Sequence, residues 1–161
     1  MKIIVGLGNP GPRYELTRHN VGFLAIDRLI DRWNAEGPSS SYEGEIYKAA
    51  FGGEKILLVK PETYMNNSGK CVAPLVKFYK CEPTDLIVIH DDLDLPTLAL
   101  RIKTGGGTGG HNGLKSLDAH LGGANTNYHR VRIGIGRPNP AEAQRSSMST
   151  VDWVLEQLQD S

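Results

Sequence analysis

The chain opens on an apolar run, residues 2–6, that breaks at the turn "GLGNPGPRYELTRHN" and reads as a buried strand. The period then changes. From about residue 18 to 36, Val21, Leu24, Ala25, Leu29 and Trp33 fall on one helical stripe, which predicts a helix ending at Gly37-Pro38. "EIYKAAF" and "EKILLVKP" flank Gly52-Gly53, a hairpin pattern. "NNSGKCVAPLVKFYKCEP" predicts a second helix, with Pro74 as a kink or early-turn residue. "DLIVIHDDLDLP" reads as a buried strand running into an acidic loop, and "LALRIK" as another strand. Beyond a glycine run, "HNGLKSLDAHLGG" predicts a short helix stopped by Gly122-Gly123, "YHRVRIGIG" alternates as a strand, and "TVDWVLEQLQ" closes the chain as a helix.

This order predicts an α/β fold: one domain over residues 1–161, with a twisted mixed β-sheet flanked by helices on both faces. Charged residues at 22% and apolar residues at 39% describe an ordinary globular chain. No stretch approaches the ~18 consecutive apolar residues of a membrane span, and the start lacks a signal-peptide pattern, so a cytoplasmic protein is expected. Cys71 and Cys81 form no C-x-x-C pair and lie in or beside one predicted helix, so both are expected as reduced, partly buried thiols.

Eighteen basic and eighteen acidic residues cancel, but their distribution does not. Between Thr97 and Ser147 stand seven basic side chains, Lys103, Lys115 and Arg132 among them, against two acids. Such a local field attracts phosphate even at zero net charge.

Gly6, Gly8 and Gly11 stand at the G-x-G-x-x-G spacing of a dinucleotide-binding turn. That motif starts a helix within the glycines, so that free N–H groups meet the pyrophosphate. Here Pro10 and Pro12 remove donors and favour extended backbone, and the acidic partner expected about 20 residues on would fall inside the helix. Instead the turn presents Asn9, His19 and Asn20 at a sheet's C-terminal edge, where open α/β sheets place ligands. A histidine at a helix start is favoured as neutral imidazole, a competent base. "IVIHDDLDLP" delivers Asp91, Asp92 and Asp94 to the same edge, and such an aspartate could fix the tautomer of His19. A divalent-metal site competes for these carboxylates, but no second ligand cluster completes it, so no metal is expected.

The second glycine run, "TGGGTGGHNGLKS", is not a Walker A loop, because Leu114 separates Gly113 from Lys115. A helix start flanked by Lys103 and Lys115 still suits a phosphate, or a gate or hinge over a cleft. There is no G-x-S-x-G elbow and no cysteine beside a base, which leaves covalent catalysis unsupported. A base, an orienting aspartate and the amides of Asn9, Asn66 and Asn112 suit attack of activated water on a carbonyl. The residues alone therefore indicate a hydrolase of a phosphate-bearing substrate.

Taken together, "VGLGNPGPRYELTRHNVGF", "KPETYMNNSGK", "HDDLDLP", "GGGTGGHNGLKS" and "HRVRIGIGRP" closely resemble the bacterial-type peptidyl-tRNA hydrolase family, in order and over nearly the whole chain. The resemblance implies a cytoplasmic, monomeric enzyme of translation that needs no cofactor and has no membrane or DNA partner. Such an enzyme cleaves the ester between a peptide and the 3′ ribose of tRNA. By motif position, the resemblance makes His19 the general base, Asp91 its orienting partner and Asn9 the residue that positions the ester. Asn66 and Asn112 match the amides that hold the peptide, while Tyr14, Asn20, Tyr64, Met65 and His111 line the substrate cleft. Lys103 and Arg132 match a clamp for the tRNA 5′ phosphate, with Lys115 on the same face. Such phosphate contacts carry no base information and predict salt-sensitive affinity. Family members normally continue past "VDWVLEQLQ" and are basic overall, so the C-terminal segment is expected to be short or truncated. A non-catalytic RNA-binding relative of the same fold, similar to a group II intron splicing factor, is the alternative; His19, Asp91, Asn9, Asn66 and Asn112 argue against it.

Overall fold

Strand β1 (Lys2–Gly6) is apolar on both faces because it lies mid-sheet. Ile3 and Val5 point to one side and Ile4 to the other, each buried in a separate layer. The structure is a computed structural model that describes residues 1–10, 20–97 and 99–136. The closing helix expected at "TVDWVLEQLQ" lies outside the described residues.

The remaining elements are α1 (Val21–Arg32), β2 (Glu36–Ser41), β3 (Gly44–Phe51), β4 (Glu54–Pro61), α2 (Gly69–Phe78), β5 (Leu86–Asp92), β6 (Leu100–Thr104), α3 (Asn112–Leu121) and β7 (His129–Gly134). The sheet runs β2-β3-β4-β1-β5-β7-β6. β4, β1, β5 and β7 pair in parallel; β2, β3 and β6 add antiparallel edges. The mixed sheet and the expected hairpin at Gly52-Gly53 are thus present.

Helices cover both faces. Val21, Ala25, Ile26 and Leu29 of α1 pack on Ile4, Leu58, Ile89 and Ile133. Cys71, Val72 and Leu75 of α2 and Leu114 and Leu117 of α3 pack on Ile3, Val5, Val59 and Val88 opposite. Both cysteines are free thiols, and burial pushes the Cys71 thiol up to about 12.

The end of β1 meets α1 through two glycines. A methyl at Gly6 would strike the Gly22 carbonyl, and one at Gly22 the Leu7 carbonyl. The first glycine of the turn therefore serves helix–strand approach, and α1 begins only at Val21, ten residues past Gly11. Among the described residues no helix starts at Gly6 or Gly8, where a pyrophosphate-binding turn would need one.

Two expectations need correction. The first helix ends at Arg32 rather than at Gly37-Pro38: the left-handed backbone of Asn34 (φ 49°) turns the chain out of it. Gly37-Pro38, joined by a cis peptide, instead lies within β2, "EGPSSS", a mostly exposed edge strand. Its pairing with β3 is a backbone matter, with a register shift between Glu36 and Ser39 that accommodates the proline. The second helix is also shorter than expected: Met65–Asn67 form a 3-10 turn before α2.

Candidate active site

β1 and β5 are parallel neighbours, so the segments after their C-terminal ends converge at one edge of the sheet. Asn9 stands just past β1. Its backbone N–H donates to Asn20 Oδ1 at 2.8 Å, and its carbonyl accepts from Asn20 Nδ2 at 2.9 Å. The Asn9 side-chain Oδ1 accepts from the Met65 N–H at 2.7 Å. A backbone N–H can only be met by oxygen, so this bond fixes the flip of the Asn9 amide. Its Nδ2 has no acceptor among the described residues. Asn20, expected against substrate, is buried and braces Asn9 from behind.

Tyr64, Met65 and Asn66 follow β4. Tyr64 has φ 61° and ψ 157°, a rare conformation for a residue with a side chain, and its ring is exposed. Strain of this kind persists where the surroundings hold it, here by bonds from the Asn67 N–H (3.0 Å) and Thr63 Oγ1 (3.2 Å) to the Tyr64 carbonyl.

Asp91 is the penultimate residue of β5 and is 6% exposed. Its Oδ1 accepts from His111 Nε2 at 2.7 Å. His111 is the N-cap of α3, its Nδ1 accepting from the N–H groups of Gly113 (3.1 Å) and Leu114 (3.3 Å). Both ring nitrogens are thereby committed: Nδ1 as acceptor, Nε2 as donor. Beneath them His90, 3% exposed, donates from Nδ1 to the Asp91 carbonyl at 2.8 Å, with its ring edge-on to His111 at 4.9 Å.

Burial, and then the neighbouring His111, push the His90 pKa from its ordinary 6.5 down to about 4. The unfolded chain therefore binds the extra proton between about pH 6.5 and pH 4, and the folded one does not. Stability from this group is complete above pH 6.5 and is lost as pH falls toward 4, by up to about 3 kcal/mol. Urea unfolding at pH 7 and pH 4.5 is expected to show this loss, and His90→Gln to reduce the difference between the two.

A cavity of about 390 Å³ joins these parts. Asn9, Tyr64, Met65, Asn66, Asp91, His111 and Asn112 line it. Leu93, Gly109 and Gly110 complete the lining; the glycines belong to the run expected as a phosphate loop or a gate over a cleft, while Leu93 had not been singled out. The glycine loop is anchored from below by Arg130, a fully buried guanidinium that the sequence offered only as one more basic residue. Arg130 donates to the Gly107 carbonyl at 2.7 Å and lies over the Tyr128 ring. His19 and Tyr14 lie outside the described residues. Among the described residues no group of three or more His, Cys, Asp or Glu could hold a metal ion.

The basic residues lie beside the cavity. Arg101 pairs with Arg132, and Lys103 with Arg130, across β6 and β7, so all four side chains project from one face of the sheet. Arg132 is held by Asp92: its Nε and Nη2 both meet Asp92 Oδ2 at 2.8 Å. Lys103 is exposed and packs against Gly106, whose φ of 100° favours glycine. Lys115 stands on the exposed side of α3.

Fold and cleft together define an α/β protein with a polar cleft beyond the C-terminal ends of its central parallel strands. A family model described as peptidyl-tRNA hydrolase matches residues 3–161. The chain is 51% identical over 155 residues to the peptidyl-tRNA hydrolase of Brevibacillus brevis, covering 96% of this chain and 78% of that one. It is 52% identical over 156 residues to that of Bacillus subtilis, with the same coverage. A crystal structure of peptidyl-tRNA hydrolase from Acinetobacter baumannii matches with a TM-score of 0.84 at 37% identity, over 99% of this chain and 83% of the other. The chain belongs to the peptidyl-tRNA hydrolase family. It is a hydrolase that cleaves the ester bond of peptidyl-tRNA, and these matches favour the enzyme over the non-catalytic alternative. Among the described residues no helix is long and apolar enough to cross a membrane.

Proposed function

We propose that the cleft works by general-base hydrolysis, with His19 as the base, Asp91 as its orienting partner and Asn9 as the residue that positions the ester. The observation that carries this reading is the convergence of Asn9, Asp91 and His111 on one cavity. His19 takes a proton from water as the oxygen attacks the ester carbonyl carbon. The carbonyl π pair moves to oxygen, where Asn9 Nδ2 donates to the developing charge. Collapse re-forms the carbonyl and breaks the bond to the ribose 3′ oxygen, which takes the proton from the His19 imidazolium. Products are the free peptide and tRNA with its 3′ hydroxyl restored.

Asn66 and Asn112 hold the peptide, with Tyr14, Tyr64 and Met65 as walls. His111, with both nitrogens engaged, supports Asp91 and the cleft floor. Asn20 acts by holding Asn9. Lys103 and Arg132 bind the 5′ phosphate of the tRNA acceptor stem, and Lys115 adds to the field. The enzyme acts as a monomer in the cytoplasm.

Hydrolysis of N-acetyl-aminoacyl-tRNA by the Lys103→Ala, Arg132→Gln double variant tests the phosphate contacts. KM is expected to rise about tenfold or more and the salt dependence to flatten, with kcat little changed. A collapse of kcat at unchanged KM would move these residues from binding to chemistry.

A further inference from the structure

We infer that Asp92 is a positioning residue that sets specificity for the tRNA 5′-terminal phosphate by holding Arg132 along one edge of its guanidinium. The inference rests on the reading of Lys103 and Arg132 as phosphate contacts. A guanidinium carries five N–H donors in one rigid plane. Nε and Nη2 of Arg132 both reach Asp92 Oδ2 at 2.8 Å, while Nη1 has no acceptor among the described residues. The plane is thus fixed from behind, and the opposite edge is left for a ligand.

Asp92 is itself held. Its Oδ1 accepts from the Asp94 N–H at 2.8 Å, its carbonyl accepts from the Ile135 N–H at 3.1 Å, and its side chain is 14% exposed. A carboxylate anchored at both ends of its residue can orient a partner, which a mobile surface acid cannot.

The same carboxylate offsets one positive charge on a face that also carries Arg101 and Lys103. That lowers the pull on every phosphate, so discrimination comes from the fixed direction of the free guanidinium edge: an internal phosphodiester offers one charge and only its non-bridging oxygens. A terminal monoester carries about −1.5 to −2 at neutral pH and three acceptor oxygens, enough for the free edge of Arg132 and for Lys103 together. Asp92 therefore favours a chain end over the phosphates that every stretch of backbone offers. It also stands next to Asp91 on β5, so the phosphate contact is one residue from the cleft.

Asp92→Asn isolates this role. The amide oxygen can still accept from the Asp94 N–H, while the NH₂ group replaces the oxygen that receives Arg132. The parent enzyme, Asp92→Asn, Asp92→Glu and Arg132→Gln are assayed on N-acetyl-aminoacyl-tRNA bearing or lacking its 5′ phosphate. In the parent, kcat/KM is expected to favour the phosphorylated substrate. In Asp92→Asn that preference should fall at least about fivefold, through KM, and Asp92→Glu should restore most of it. A preference unchanged in Asp92→Asn but abolished in Arg132→Gln would overturn the role of Asp92. Equal use of both substrates by the parent would instead overturn the phosphate reading on which it stands.

Discussion

Replacement of His19 by alanine is expected to lower kcat by about 10²–10⁴-fold, the usual contribution of one positioned base, with little change in KM. The expectation follows from the other histidines. The chain has five, and of the remaining four only His111 lines the cavity. His111 caps α3 through Nδ1 and binds Asp91 through Nε2, so it could accept a proton only by giving up two backbone N–H groups. His90 is buried behind it, with its Nδ1 on the Asp91 carbonyl. His120 bonds the Ser116 carbonyl near the far end of α3, and His129 bonds Thr104 at the N-terminal end of β7. None is an available base at the cavity, in keeping with the role proposed for His19. Steady-state hydrolysis of N-acetyl-aminoacyl-tRNA, with tRNA binding measured on the same variant, checks the point. Retained binding with lost turnover is the expected pair; retained turnover would remove His19 from the role.

The parts of the fold legible in the sequence are those whose side chains carry the signal. β1, β4 and β5 are buried on both faces and read as dense apolar runs, while the Gly52-Gly53 turn declares its hairpin. β2 was illegible because an exposed edge strand written "EGPSSS" pairs through backbone groups, which every residue has. The end of α1 was misplaced for a related reason. Gly37-Pro38 is a strong breaker, but the turn is made earlier by Asn34, whose short side chain tolerates a left-handed backbone.

The site divides in the same way. Asn9 and Asp91 were legible as polar residues at the ends of apolar strands, a position where the sheet leaves backbone and side chains open to ligand. The pairing of Asp91 with His111 was not, since it depends on α3 docking beside the end of β5, twenty residues away. His90 was hidden by its neighbours: in "LIVIHDD" it occupies an inward position of a buried strand, and only the packed structure shows a polar ring there. Arg130 and Arg132 look alike in "HRVRIGIG". Packing separates them, one buried beneath the glycine loop and the other held at the edge of the cleft by Asp92.

Asp91→Asn is expected to lower kcat/KM about 10²-fold or more and to move the acid limb of the pH–rate profile to lower pH. The substitution is conservative for the scaffold. The amide oxygen can still accept from His111 Nε2, so the α3 cap and the cleft floor have no reason to reorganise. What disappears is the negative charge at the end of β5. A carboxylate close to an imidazole favours the imidazolium, raising its pKa. Without it, His19 holds a proton less tightly and remains in its basic form at more acid pH, so the limb shifts downward. The same change makes it a weaker base toward water and leaves the developing imidazolium unstabilised, so the plateau falls. Charge and scaffold make different predictions at this point. If Asp91 served only to hold His111, the variant would keep both its plateau and its limb, since an amide serves that bond as well. A lowered plateau with an unmoved limb would place the effect elsewhere than on the base, and Asp91 would lose its role as partner of His19.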